Sequence, residues 1–273
     1  MRTILMYYRI TQNLGFNDAR MLLVIGLAAL LICSIPATAK STNDDHKADN
    51  EWHFVLMPLY LWGVTLDGST TLSTPEGDSG AYPVDTSELT GAFTFHIEAK
   101  KNKWNLFADY LYAEYTSENV TGPLGFVRGE NELTVHIAEF GGTYSVIEKH
   151  RFELEVLAGV RYLSVKNTFT FERGDLFDPL EGSANIWDGF AGVRFTGKMT
   201  ESISARARAD IGTGDSDMVW NVILTVDWRY NDWGSVYAGY RWLDYDFKEG
   251  SGPDEFGINI RGEGPVVGLG FYW

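Results

Sequence analysis

Ser202 to Gly212 reads SISARARADIG, and its alternation decides the fold class. Ile203, Ala205, Ala207, Ala209 and Ile211 fall on one face at a period of two, while Ser204, Arg206, Arg208 and Asp210 fall on the other. A helix would scatter those charges round its axis, whereas a strand separates them. Phe152 to Tyr162 repeats the arrangement. Phe152, Leu154, Val156, Ala158, Val160 and Tyr162 face one way, and Glu153, Glu155, Gly159 and Arg161 the other. Trp220, Val222, Leu224, Val226 and Trp228 likewise oppose Asn221, Thr225 and Asp227. Working outward from these runs, strands are expected near 52–66, 90–100, 104–116, 131–147, 152–167, 184–197, 202–213, 217–229, 233–246 and 256–273.

Such strands suit either a soluble barrel or sandwich, apolar face inward, or a membrane barrel, where apolar residues face lipid and polar ones the lumen. Three features select the second. Aromatics gather at strand ends on the apolar face: Trp52, Tyr60 and Trp62; Trp104, Tyr110 and Tyr112; Trp220 and Trp228; Tyr240 and Trp242; Phe271 and Trp273. Trp and Tyr favour the headgroup level, where a ring sits half in lipid and half wet. The polar face carries Arg161, Arg194, Arg206, Arg208 and Arg241 with Glu98, Asp109, Asp188, Asp210 and Asp227, interleaved with glycine as in Gly159-Val160-Arg161 and Gly192-Val193-Arg194. That pattern suits a narrow, ion-paired interior better than a solvated sheet face. Finally, the connections alternate. Asp67–Leu89, Thr116–Glu130, Asn167–Gly182 and Phe247–Glu255 are long; Lys100–Lys103, Glu148–Arg151, Lys198–Glu201 and Tyr230–Trp233 are short. Only Gly214–Asp217 is a short member of the long set. Long outer loops and short periplasmic turns mark outer-membrane barrels. The expectation is an all-β, transmembrane, antiparallel up-and-down barrel of about ten strands over 52–273, with both termini in the periplasm.

The start of the chain agrees with export. Met21 to Pro36 reads MLLVIGLAALLICSIP and is followed by Ala37-Thr38-Ala39, with Arg2, Arg9 and Arg20 ahead of it. A basic region, an apolar run and a small-x-small site form a signal peptide. Residues 1–39 are therefore expected to be a cleaved leader, with Met21 an alternative start, and 40–51 a short periplasmic segment. The one cysteine, Cys33, falls within the leader, so the mature chain has no disulfide, thiolate metal site or cysteine nucleophile.

The 273 residues carry a formal charge of −15, which argues against nucleic acid, whose phosphates call for a basic surface. Asp67, Glu76, Asp78, Asp85, Glu88, Glu172, Asp175, Asp178, Glu181, Asp244, Asp246, Glu249, Asp254 and Glu255 make the long connections acidic. Solvation explains such runs by default; divalent cations bridging them to anionic lipid headgroups are the alternative. No calcium-loop spacing of the form Asp-x-Asp-x-Asp-Gly is present, and neither a resident metal nor a cofactor is expected.

Val267, Leu269, Phe271 and Trp273 alternate at the end of the chain with Gly268 and Gly270 between them. This resembles the C-terminal signal of bacterial outer-membrane proteins that the barrel-assembly machinery reads, although Val266 stands where a polar residue is commoner. Pro58-Leu59-Tyr60-Leu61-Trp62 with Leu66-Asp67-Gly68, Trp104 to Tyr110, Ala158 to Tyr162, Gly239-Tyr240-Arg241 and Gly264 to Gly270 together resemble a family of small, mostly uncharacterised outer-membrane barrels. The resemblance covers most of 52–273. It implies eight to ten strands and a Gram-negative outer-membrane address, in contact with membrane lipid and lipopolysaccharide, and no particular activity.

For function, the interior charges point to a salt-bridged lumen with a structural or small-pore role. Two other readings stand beside it. His96-Ile97-Glu98 places an imidazole and a carboxylate on one strand face, with Asp109 across the next turn, which is half of a hydrolase; no Gly-x-Ser-x-Gly supplies a nucleophile. Ten strands also invite comparison with the omptin proteases, for which His136 near a rim and Asp215 and Asp217 in a loop are the candidates, but no Asp-x-His lies within the barrel region. The third reading is a surface adhesion protein that uses the long acidic loops.

Overall fold

The computed structural model describes residues 51–62, 65–73, 79–83, 88–121, 128–172, 179–249 and 256–273. The leader, the segment up to residue 50 and the loop acids Glu76, Asp78, Asp85, Asp175, Asp178, Asp254 and Glu255 lie outside the described residues. Among the described residues twelve strands follow one another: β1 (His53–Trp62), β2 (Thr65–Ser73), β3 (Ser79–Pro83), β4 (Glu88–Lys101), β5 (Trp104–Thr121), β6 (Arg128–Lys149), β7 (Phe152–Phe171), β8 (Leu180–Lys198), β9 (Ile203–Gly214), β10 (Met218–Arg229), β11 (Gly234–Glu249) and β12 (Phe256–Tyr272). β1 and β4 to β12 pair in chain order, all antiparallel, and β1 also pairs with β12, closing a ten-strand barrel. β2 and β3 form a hairpin laid against the upper part of β12.

The short turns define one end, here the bottom. Lys101-Asn102-Lys103 turns with Asn102 at φ 53°, a left-handed position that asparagine tolerates better than most residues. At the other end the strands run further than their sequence pattern indicates. β6 and β7 continue to Arg128 and Phe171, and much of the expected Asp67–Leu89 loop is the β2–β3 hairpin. The ladders continue there because pairing satisfies backbone groups whether or not the side chains still alternate.

Outward-facing side chains are apolar round the wall. Leu61, Phe93, Leu106, Phe140, Val156, Val160, Val193, Ile211, Val226 and Val267 are all exposed. A continuous apolar belt of this kind belongs in hydrocarbon. Below it lie Trp52, Trp104, Trp228, Trp233 and Trp273, with Phe54 stacked on Trp273 and Trp233 on Phe271. Above it are the pairs Tyr162–Trp187 and Tyr240–Trp242. Trp104 and Tyr112, like Trp220 and Trp228, are eight positions apart. At about 3.3 Å per residue that is roughly 26 Å of tilted strand between the two girdles.

Trp62 departs from the expectation. Its sequence parity matches Trp52, yet it is buried inside the barrel with the Arg241 guanidinium 4.8 Å above its ring. The register shift between Leu56 and Leu59 is the reason. A bulge adds one residue to the strand and reverses the faces beyond it.

Candidate functional site

The alternation of β4 to β11 sends one side chain in two into the lumen, and at mid-height and below these are mainly charged. Glu139 on β6 accepts from Arg161 Nε (2.9 Å), Arg208 Nη2 (2.8 Å) and Arg241 Nη2 (2.9 Å). Asp210 accepts from Arg161 Nη2 (2.7 Å), Arg208 Nε (2.8 Å) and Asn221 Nδ2 (2.8 Å), and Asn221 Oδ1 accepts from Arg241 Nε (3.0 Å). These side chains are nearly free of solvent: those of Arg161 and Asp210 are 0% exposed. Each carboxylate meets several guanidinium donors, which offsets the cost of burying charge that an isolated pair would incur. The rings of Phe107 and Phe190 lie under Arg208, and Phe190 also under Arg161. Gly159 makes room for this, since a Cβ there would stand 2.6 Å from the Phe190 ring.

A second cluster sits lower. Glu98 accepts from Arg194 Nη1 (3.0 Å), Arg206 Nη1 (3.0 Å) and Asn105 Nδ2 (2.7 Å). Glu155 takes both Nε and Nη2 of Arg194, at 2.6 and 2.8 Å. Below it Lys100 Nζ bonds Glu153 at 2.6 Å. Two contacts span the full width of the barrel. Glu139 and Arg241 stand on β6 and β11, and Glu98 and Arg206 on β4 and β9, in each case five strands apart in a ring of ten.

Eight of the ten sequence-derived lumen charges, Glu98, Asp109, Arg161, Arg194, Arg206, Arg208, Asp210 and Arg241, have ionic partners inside the barrel. The other two sit apart. Asp188, the register partner of Arg161, accepts from the backbone N–H of Ser216 (3.0 Å) and so pins the β9–β10 connection. Asp227 accepts from the hydroxyls of Tyr272 (2.7 Å) and Ser235 (3.3 Å) near the floor. The central acceptor, Glu139, was not singled out from the sequence. The signal was available: it sits between outward Ala138 and Phe140 and faces Arg161 in register.

His96 is flanked on both sides, with Nδ1 2.9 Å from Asp109 and Nε2 3.0 Å from Glu98. Carboxylates only accept, so both ring nitrogens serve as donors, and neither is placed to take a proton from a nucleophile. His136 does not join it. It lies on the outer face, opposite in parity to buried Val135 and Ile137, with Nδ1 3.0 Å from Tyr110 Oη and its ring 5.0 Å from that of Tyr112. Asp215 accepts from the Trp187 backbone N–H (2.9 Å) and is brought to neither histidine. Among the described residues no group of three or more His, Cys, Asp or Glu side chains could hold a metal ion.

The upper lumen is different in kind. Leu111, Ala113, Tyr115, Leu133, Val135, Ile137, Leu163, Val165, Ile186, Leu243 and Tyr245 are buried there in one cluster with Trp62. Sequence reasoning assigned apolar residues to the outside and missed this layer. The available signal is that alternation fades in the upper strand halves, as in Tyr110-Leu111-Tyr112-Ala113, where both faces are apolar.

No protein-family profile matches the chain, and no curated protein matches it by sequence. Solved structures do. The outer-membrane protease OmpT of Escherichia coli superposes with a TM-score of 0.53 at 10% identity, over 85% of this chain and 100% of that one. The attachment invasion locus protein Ail of Yersinia pestis, in complex with a heparin analogue, matches at 0.36 and 10% over 82% and 99%. The translocator domain of the Neisseria meningitidis autotransporter NalP matches at 0.38 and 17% over 83% and 90%. At these identities the likeness concerns fold alone. What the chain shares with OmpT is the closed antiparallel barrel of that outer-membrane protein.

Proposed function

We propose that the mature chain is an integral outer-membrane protein whose lower lumen is a salt-bridged plug, closed to bulk ions and serving as the barrel's internal brace. The observation that carries this reading is the Glu139–Arg241 contact, which joins opposite walls at 2.9 Å with both side chains almost fully buried. Arg161 and Arg208 converge on the same carboxylate from two further strands. Below the plug a cavity of about 740 Å³, part of it open to solvent, is lined by His96, Asp109, Arg206 and Asp227 among others. Met57, Phe107, Leu157 and Ile223 share its lining, so it is a vestibule of mixed character. Export through residues 1–39, a periplasmic position for the short turns and insertion by the barrel-assembly machinery belong to the same proposal. Val267, Leu269 and Trp273, exposed along the outer face at the end of β12, support it.

The enzyme reading draws no support from histidines that lie on opposite faces of the wall with His96 already engaged at both nitrogens. The deciding experiment is single-channel recording of the refolded mature chain in a planar bilayer at neutral pH. Silence is expected from protein shown to be folded by its heat-modifiable gel mobility. Steady openings that shift when Arg206 or Asp210 is neutralised would replace the plug with a narrow pore.

A further inference from the structure

The turns joining β4 to β5, β6 to β7 and β8 to β9 carry an excess of positive charge. Lys101, Lys103, Lys149, Arg151 and Lys198 stand on them, against the exposed acids Glu148 and Glu201. Lys101 is half-buried and the other four cations are exposed. Among the described residues the ion-paired lysines are Lys100, which bonds Glu153, and Lys166 at the far end. The five cations of these turns are in no ion pair. The fourth short turn, Tyr230–Trp233, has Asp232 and no cation, so the excess lies on one side of the barrel.

Backbone contacts join these turns into one rim. Ser145 N donates to Lys103 O at 2.9 Å, which ties the turn after β4 to the lower end of β6. Lys198 N donates to Arg151 O at 2.7 Å, which ties the turn after β6 to the turn after β8. The cations therefore follow one another along a continuous arc from β4 to β9.

Aromatic rings set the height of this arc. Lys101 Nζ lies 5.6 Å from the centre of the Trp52 ring, and Lys149 Nζ 5.2 Å from that of Phe152. Lys103 adjoins Trp104, which is exposed in the lower girdle. The negative face of a ring attracts a cation placed over it. A lysine in this setting lays its methylene stem on apolar surface and keeps its ammonium wet. Because girdle rings mark the headgroup level, the ammoniums stand at the height of lipid phosphates rather than clear of the membrane. The far end of the barrel has the opposite sign, with Glu130, Glu132, Glu172 and Glu181 exposed.

We propose that the arc is a docking surface for phospholipid of net negative charge, in the leaflet at the short-turn end. Charge complementarity and height together select this occupant. A zwitterionic headgroup brings its own ammonium, which cancels much of the attraction, whereas an anionic one offers its phosphate alone. Each lysine or arginine near an anionic surface adds to the attraction, and salt screens it. The inference rests on the membrane-barrel reading of the chain and not on whether the plug passes ions.

The experiment places the refolded mature protein in phosphatidylcholine vesicles that contain a trace of spin-labelled lipid, either phosphatidylglycerol or phosphatidylcholine. Electron spin resonance reads the fraction of label held against the barrel. Phosphatidylglycerol is expected to associate at least about twofold more strongly than phosphatidylcholine, with the preference shrinking as salt rises. Combining Lys103→Gln, Lys149→Gln, Arg151→Gln and Lys198→Gln should abolish the preference, and Lys166→Gln at the far end should leave it intact. If the fourfold variant does not fold, as judged by gel mobility, Lys103→Gln with Lys149→Gln takes its place and should reduce the preference. Inorganic phosphate, exchanged for chloride at constant ionic strength, should not displace the label. Equal association of the two lipids with folded protein overturns the proposal. So does a preference that the turn variants keep, or one that inorganic phosphate removes. Failure to float with the vesicles would overturn the membrane-barrel reading itself, and this inference with it.

Discussion

On β6, Glu139 and Ile137 are two residues apart and point into the same lumen, yet they belong to different interiors. From Ile137 upward the inward positions of β5, β6 and β7 are Leu111, Ala113, Tyr115, Leu133, Val135, Leu163 and Val165. From Glu139 downward the lumen is held by five guanidiniums and their carboxylates. The lower region gains its cohesion from directed contacts that reach across the barrel, so each group depends on partners from distant strands. The upper region relies on apolar contact, which is additive and undirected, and it leaves space unfilled. Removing one group should therefore do unequal damage in the two regions: below it strands several charges, and above it only enlarges a space that already exists.

The largest effect is expected from Glu139→Leu. It leaves Arg161, Arg208 and Arg241 without their shared acceptor and should lower unfolding stability by about 3–5 kcal/mol. The readout is the urea midpoint in lipid vesicles. Asp210→Leu follows at about 3 kcal/mol, since Asn221 and two arginines lose a fully buried partner. In the upper lumen Leu163→Ala should cost about 2 kcal/mol, the low end for a buried leucine, because its neighbours already border open space. Arg206→Leu should cost below about 1 kcal/mol, since its side chain is 34% exposed and its ion pair is with Glu98, which retains Arg194, His96 and Asn105. Lys166→Ala, which removes an exposed pair with Glu181, should change stability by less than about 0.5 kcal/mol. If Arg206→Leu proves as costly as Asp210→Leu, the two ionic clusters act as one network and the lower lumen is a single unit. If Leu163→Ala exceeds Glu139→Leu, the contrast between the halves is wrong.

Much of the architecture was legible because a strand's side-chain period is set by local backbone geometry. Ser202–Gly212 and Phe152–Tyr162 announce their faces without reference to anything distant, and the short turns fall where their residues indicate. The same locality explains the misses. Parity counted from Trp52 puts Trp62 outside, and the bulge between Leu56 and Leu59 that reverses it leaves little trace in the sequence beyond Pro58. Glu139 matters because it faces β11 from half a circumference away, a relation that no window along the chain contains. His96 is the opposite case: Asp109, expected across the next turn, does reach it and occupies its second nitrogen.

The sequence alone therefore determined strand period, strand succession, which face meets lipid away from the bulge and many of the charges that turn inward. All of these follow from alternation and turn chemistry over a few residues. Only the tertiary structure decided which charges meet, where the ladder between β1 and β4 ends and that the lumen changes from ionic to apolar between Glu139 and Ile137. Those outcomes depend on barrel closure, which sets the register of the strands and brings into contact residues on β6 and β11 about a hundred positions apart.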